Sequence, residues 1–211
     1  MSVKFTDLIQ FPVLIFGLVG PIGVDLEYAQ SSLSDELKSF NYTAETITIT
    51  SIMDELQSNE KIAEADFFKI YHSKIDYAND IRKTYEANDI LAALAISAIR
   101  KIHSKIEASA KDEGGQAKHG SAYIIRQLKT PDEIKLLRSV YGRQFIQVSV
   151  HGSPFKREDY LTTKAKIRSK GTLTEKVARG GGKSTHRAGP QRGSGLWTEY
   201  QQRFPFRRCV H

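Results

Sequence analysis

The chain has 211 residues, 40% of them hydrophobic, and a single cysteine, Cys209, which excludes a disulfide framework and a cysteine-built zinc site. No run approaches the roughly 20 apolar residues of a membrane-spanning helix, and the N-terminal MSVKFTDLIQFPVLIFG lacks a small-residue cleavage site, so a cytoplasmic protein with no membrane partner is expected. The net charge of +7 is uneven: residues 164–211 hold 12 of the 31 basic and 2 of the 24 acidic residues, so the body is about −3 and only the tail has the charge that nucleic acid would need.

Val13 to Phe16 form a short apolar, β-rich run that predicts a first strand. Gly17, Gly20 and Gly23 punctuate the turn after it, and Asp25 is a good N-cap for a helix carrying Leu26, Leu33, Leu37 and Phe40 on one face. A strand, a glycine turn and a helix start, in that order, are the parts of a phosphate-binding loop. They aim backbone N–H groups and the positive end of a helix dipole at one point. The Walker arrangement is incomplete, however. Gly17 and Gly23 enclose five residues instead of four, Val24 stands where a Lys would reach the β- and γ-phosphates, and Asp25 stands where a hydroxyl would meet Mg²⁺. The Asp25 carboxylate also competes with an anion for the helix N–H groups. On spacing alone, a tight turn with no ligand is the competing reading.

ETITITSI (45–52) alternates and is rich in β-branched residues, which predicts a second strand, and a strand, helix, strand opening points to a parallel α/β sheet. There is no Pro or Gly from Ile52 to Ala110, and the segments 61–86 and 88–109 read as long helices. In the second, Leu91, Ala95, Ala98 and Ile102 form an apolar stripe widened by Ile99 and Ile106, and core packing explains it. Asp54, Glu55, Glu60 and Glu64 read as a solvated helix face. AKDEGGQAKHG (110–120) is a polar loop and SAYIIRQL (121–128) a third strand. In TPDEIKLLRSVYG, Thr130 is the N-cap, Pro131 the first helical residue, Glu133 the capping-box partner and Gly142 the stop. RQFIQVSV (143–150) predicts a fourth strand, and HGSPFKREDYLTTKAKIRSK (151–170) begins a basic, exposed helix. From Gly171 onward no period is sustained and Gly and Arg cluster, so the tail reads as disordered. GGGKST (180–185) contains Gly-Lys-Ser but has no apolar strand before it and no apolar helix after it, so it is not a Walker loop.

His72, His103, His119, His151, His186 and His211 are scattered with no ligand spacing, and no metal site is expected. Arg82, Arg126, Lys129, Arg138 and Arg157 are candidate phosphate clamps, the guanidinium fork matching phosphate oxygens, although surface ion pairing is the common fate of Arg.

FGLVGPIGVDL, NDIRKTYEANDILAALAISAIRKI and above all YIIRQLKTPDEIKLLRSVYGRQFIQVSVHGSPFKREDYL resemble the N-terminal half of the anti-phage dCTP deaminases, relatives of deoxycytidylate deaminase. The resemblance covers roughly residues 12–170, and LK-x-P-x-E-x-x-x-LR-x-x-YG is its most specific part. It implies a regulatory region similar to P-loop nucleotide kinases. In that family a C-terminal zinc domain, with His-x-Glu and Pro-Cys-x-x-Cys motifs, deaminates dCTP or dCMP by attack of metal-bound water on cytosine C4. This chain contains neither motif, so the expectation is a product truncated before the deaminase domain, without zinc and without deaminase activity.

The tail is consistent with a shifted reading frame. Under a one-base shift the standard code permits FPFRRCVH to encode FPFGDVF, GLWTEYQQRF to encode DYGQNISNAF, and THRAG to encode LIARD, which are family-like strings in the family's order. A frameshift near Val177 to Lys183 is therefore expected. Sequencing the DNA tests it: if no one-base shift opens a deaminase frame, the idea fails.

The expected fold is α/β and P-loop nucleotide-kinase-like, a mostly parallel sheet flanked by helices over residues 1–170, with a low-order basic tail over 171–211. The resemblance implies the nucleotide-sensing, regulatory half of an antiviral defence protein. Its nucleotide would be held by Gly17, Gly20, Pro21, Ile22, Gly23, Val24 and Asp25, with Arg82, Arg138 and Arg157. No catalytic residue is assigned, because the lost Lys removes the charge neutralisation that phosphoryl transfer needs. The alternatives are a nucleoside or nucleotide kinase with an atypical P-loop, and a nucleic-acid-binding module acting through the tail. A homo-oligomer is left open.

Overall fold

The computed structural model describes residues 11–53, 67–112 and 119–168. Asp54, Glu55, Glu60 and Glu64, the glycines of the 110–120 loop before Gly120, and the tail from Gly171 with its GGGKST and shifted-frame strings lie outside the described residues.

Four strands, β1 (Leu14–Val19), β2 (Tyr42–Thr48), β3 (Gly120–Leu128) and β4 (Phe145–Ser149), form one all-parallel sheet in the order β2-β3-β1-β4. Parallel neighbours need crossover connections, which the helices α1 (Leu26–Ser39), α2 (Ile49–Ile52), α3 (Phe67–Thr84), α4 (Ile90–Asp112) and α5 (Pro131–Tyr141) supply, with α6 (Pro154–Arg168) following β4. The α/β class and parallel sheet expected from the sequence are thus observed.

Alternation along the strands sends side chains to two separate cores. Ile15, Tyr123, Ile125 and Phe145 join Tyr77 and Ile81 of α3, Leu91, Ala92, Ala95, Ile96 and Ile99 of α4, and Leu137 of α5. On the other face Phe16, Leu18, Ala122 and Ile124 pack with Leu26 and Leu37 of α1. Of the predicted α4 stripe, Leu91, Ala95 and Ile99 are in the core with Ala98 and Ile102 at its half-buried margin, whereas Ile106 is half-buried outside that cluster.

Four local expectations need correction. Gly17 is not in the turn but inside β1, where a Cβ would lie 2.7 Å from Leu128 Cδ1 and 2.8 Å from the Phe145 ring. The strand continues through it because long-range packing, not chain reversal, requires the glycine. The second strand starts at Tyr42 and stops at Thr48, and Ile49–Ile52 turn into helix although their alternation continues. Phe40 lies beyond the end of α1 and is 70% exposed. Helix α6 is not simply an exposed basic helix, since Arg157, Thr162 and Ala165 are buried.

Helix α5 begins as read: Thr130 Oγ1 accepts from Glu133 N at 3.2 Å, and Glu133 Oε2 accepts from Thr130 N at 3.0 Å. Thr130→Ala is expected to cost about 1 kcal/mol, the usual value of a lost N-cap. Thermal unfolding of the two proteins would measure it.

Candidate functional site

In a parallel sheet, ligands settle outside the carboxyl ends of the strands, where successive connections leave in opposite directions. Here that point lies between the neighbours β1 and β3: β1 leads through α1 toward the β2 edge, whereas β3 leads through α5 across β1 to β4. The loop from Gly20 to Asp25 sits at the carboxyl end of β1. Val24 N donates to Pro21 O at 3.4 Å to close a turn, and Asp25 Oδ1 accepts from Tyr28 N at 2.9 Å to cap α1. Asp25 thus occupies a helix N–H group as expected from the sequence. Val24 packs half-buried against the α1-side core. The position of the missing Lys is therefore used for packing.

The loop is pressed from the side of β4 and α6. A Cβ on Gly20 would lie 2.6 Å from Val24 Cγ2 and 3.0 Å from the Val150 carbonyl oxygen. Gly23 has φ +88°, and a Cβ there would lie 2.7 Å from Arg157 O and 2.8 Å from Arg157 Cβ. Successive turns of α6 continue the contact: Tyr160 Oη donates to Asp25 Oδ1 at 3.4 Å, and Lys164 Nζ donates to Glu27 Oε2 at 2.6 Å. The Lys164 hydrogen bond holds the Glu27 carboxyl below its usual range. Burial pushes the Arg157 guanidinium pKa down.

From the opposite side, β3 brings two cations. Arg126 Nη1 donates to Gln30 Oε1 at 3.0 Å, with Nη2 3.6 Å from Glu27 Oε1, and its Nε is buried with no hydrogen-bond partner. Beyond it the register slips: Leu18 pairs with Arg126 but Val19 with Leu128, so Gln127, at φ 71°, is an extra residue. Such a bulge re-aims the side chains that follow. Leu128 consequently packs in the same core as Ile125, and Lys129 Nζ donates to the carbonyl oxygen of Gly20 at 2.9 Å. Lys129 is exposed as a residue, but desolvation of its ammonium lowers its pKa to about 8, with Glu133 opposing the fall and Arg82 adding to it.

Behind Lys129 lies a buried hub. Glu133, 1% exposed, pairs with Arg82 Nη2 at 2.7 Å through Oε1, while Oε2 accepts from Lys129 N at 2.6 Å and Thr130 N at 3.0 Å. Of the residues assigned from the sequence, Gly20 to Asp25 and Arg157 come together, and Arg82 is linked to them through Glu133. Arg138 is instead exposed on α5 and donates to Gln147 Oε1 of β4 at 3.1 Å. Lys129 and Arg126 were visible as cations, but assigning Lys129 to the loop and Arg126 to the first turns of α1 needs the strand order. Glu133 was legible as a capping residue and not as the partner of Arg82.

Among the described residues no group of three or more His, Cys, Asp or Glu is placed to hold a metal ion, and no helix is long and apolar enough to cross a membrane. No protein-family model matches the chain, and no curated protein matches it.

Proposed function

We propose that this domain is a P-loop-kinase-like nucleotide sensor, the regulatory part of a dCTP/dCMP deaminase-like antiviral defence protein, with a nucleotide phosphate held by backbone N–H groups of the Gly20–Val24 turn. The observation that carries the reading is the position of this turn: it stands at the switch point of a parallel sheet, with Lys129 reaching it from the end of β3 and Arg157 of α6 packed against Gly23. Backbone N–H groups bind phosphate without transferring it. With Val24 packed into the core and Asp25 engaged as a cap, the loop itself has neither the cation nor the hydroxyl for moving a phosphoryl group. The deaminase part of the reading rests on the sequence resemblance.

Calorimetric titration with dCTP, dCMP, dTTP and ATP, each with Mg²⁺, is expected to give saturable binding of a nucleotide without turnover. No ammonia release from dCTP or dCMP is expected from this polypeptide, which has neither deaminase motif. ATP-dependent phosphorylation of a nucleoside or nucleotide by the purified chain would instead establish the kinase reading and sink the regulatory one.

A further inference from the structure

We infer that Lys129 supplies, from the strand beside β1, the cation that the Gly20–Asp25 loop lacks in its own sequence, and that its ammonium binds the phosphate held by that loop. The inference deepens the nucleotide reading above and rests on it.

Three observations converge. The loop position where a Walker Lys would stand is Val24, and its side chain is committed to the core. The nearest replacement comes from β3, the hydrogen-bonded neighbour of β1, whose Lys129 Nζ already reaches the loop at Gly20 O, 2.9 Å away. The backbone is also arranged for that reach. The Gln127 bulge at φ 71° is an unfavourable conformation for a residue with a side chain, and immediately past it Glu133 fixes the Lys129 and Thr130 N–H groups from a buried position. The main chain of Lys129 is thus held while its side chain spans to the loop.

A loop carbonyl satisfies one of the three ammonium donors. The other two remain available for phosphate oxygens, so an arriving phosphate need not break the contact to Gly20. Arg82 adds positive potential nearby, and it is held by Glu133, so it does not compete for the same loop oxygen. A purely structural Lys129 would do no more than tie the end of β3 to the loop. The two roles differ in what they need: the tie needs a donor, and phosphate needs a charge.

Three variants separate them. Titration of the full chain with dCTP and with inorganic triphosphate, alongside unfolding curves, would compare wild type with Lys129→Met, Lys129→Gln and Lys129→Arg. The expected result is a loss of about 10- to 100-fold in affinity for Met and Gln alike, as for removal of a charge-assisted hydrogen bond, with Arg within about threefold of wild type. If wild type binds and Gln binds as tightly as wild type, the donor alone suffices and the inference is overturned while the nucleotide reading stands. If wild type binds none of dCTP, dCMP, dTTP, ATP and inorganic triphosphate, the nucleotide reading fails and this inference falls with it. Because Lys129 is exposed as a residue, folded variants are expected, and unchanged unfolding midpoints would assign any affinity loss to binding.

Discussion

Replacing Glu133 with Ala is expected to remove about 3–5 kcal/mol of folding free energy, the range for breaking one side of a buried ion pair. The carboxylate is 1% exposed and serves three donors at once: Arg82 Nη2, Lys129 N and Thr130 N. Truncation leaves the Arg82 side chain, only 12% exposed, without its counter-charge, and leaves two backbone N–H groups without their acceptor. Each unsatisfied buried group carries its own desolvation cost of about 1–3 kcal/mol, so the sum is large even though the net value of the intact pair is modest. Since a domain has only about 5–15 kcal/mol in total, the variant should show a much lower urea midpoint. Replacing both Arg82 and Glu133 with Met should cost less than Glu133→Ala alone, because it removes the stranded charge. A loss below about 1 kcal/mol for Glu133→Ala would mean that the hub does not organise this end of β3.

That hub also marks where sequence reading ends. Thr130, Pro131 and Glu133 announce a helix start within four consecutive residues, and the chain folds there as read. The stripe from Leu91 to Ile102 is similarly local and correct in kind. Errors arise where the deciding contact is distant. Gly17 looked like turn punctuation because its reason, the side chains of Leu128 and Phe145, lies more than a hundred residues away in the chain. The alternation of ETITITSI continues past Thr48 although the backbone does not, since period alone cannot tell where a strand leaves its sheet. Phe40 fits the helical period but falls beyond the last turn, so it meets solvent. The site divides in the same way. The loop and its cap were legible in one short stretch, whereas its contacts with Lys129 and Arg157 depend on β3 and β4 flanking β1.

Gly23→Ala tests the most specific of those long-range contacts, and its expected cost is on the order of 2–4 kcal/mol. In a phosphate cradle a glycine is needed because the ligand approaches the backbone. Here the fold itself already needs one, for two separable reasons. Gly23 has φ +88°, a conformation that side-chain-bearing residues rarely adopt, and the space its Cβ would fill is occupied by Arg157 O at 2.7 Å and Arg157 C at 3.0 Å. These are backbone atoms of α6 and cannot rotate away, so α6 must shift for the methyl to fit. Gly142→Ala is a comparison in open space: with φ +54°, ψ −122° and nothing within 4 Å of the added carbon, it reports the strain of its own backbone conformation and no side-chain contact. For Gly23→Ala, measured by urea unfolding, overpacking against α6 should account for about 1–3 kcal/mol of the loss, the usual range for such a clash. A loss below about 1 kcal/mol for Gly23→Ala would mean that α6 yields freely, leaving the loop open to a phosphate without rearrangement. A loss of the expected size would mean that a phosphate approaching Gly23 from the α6 side must first displace Arg157.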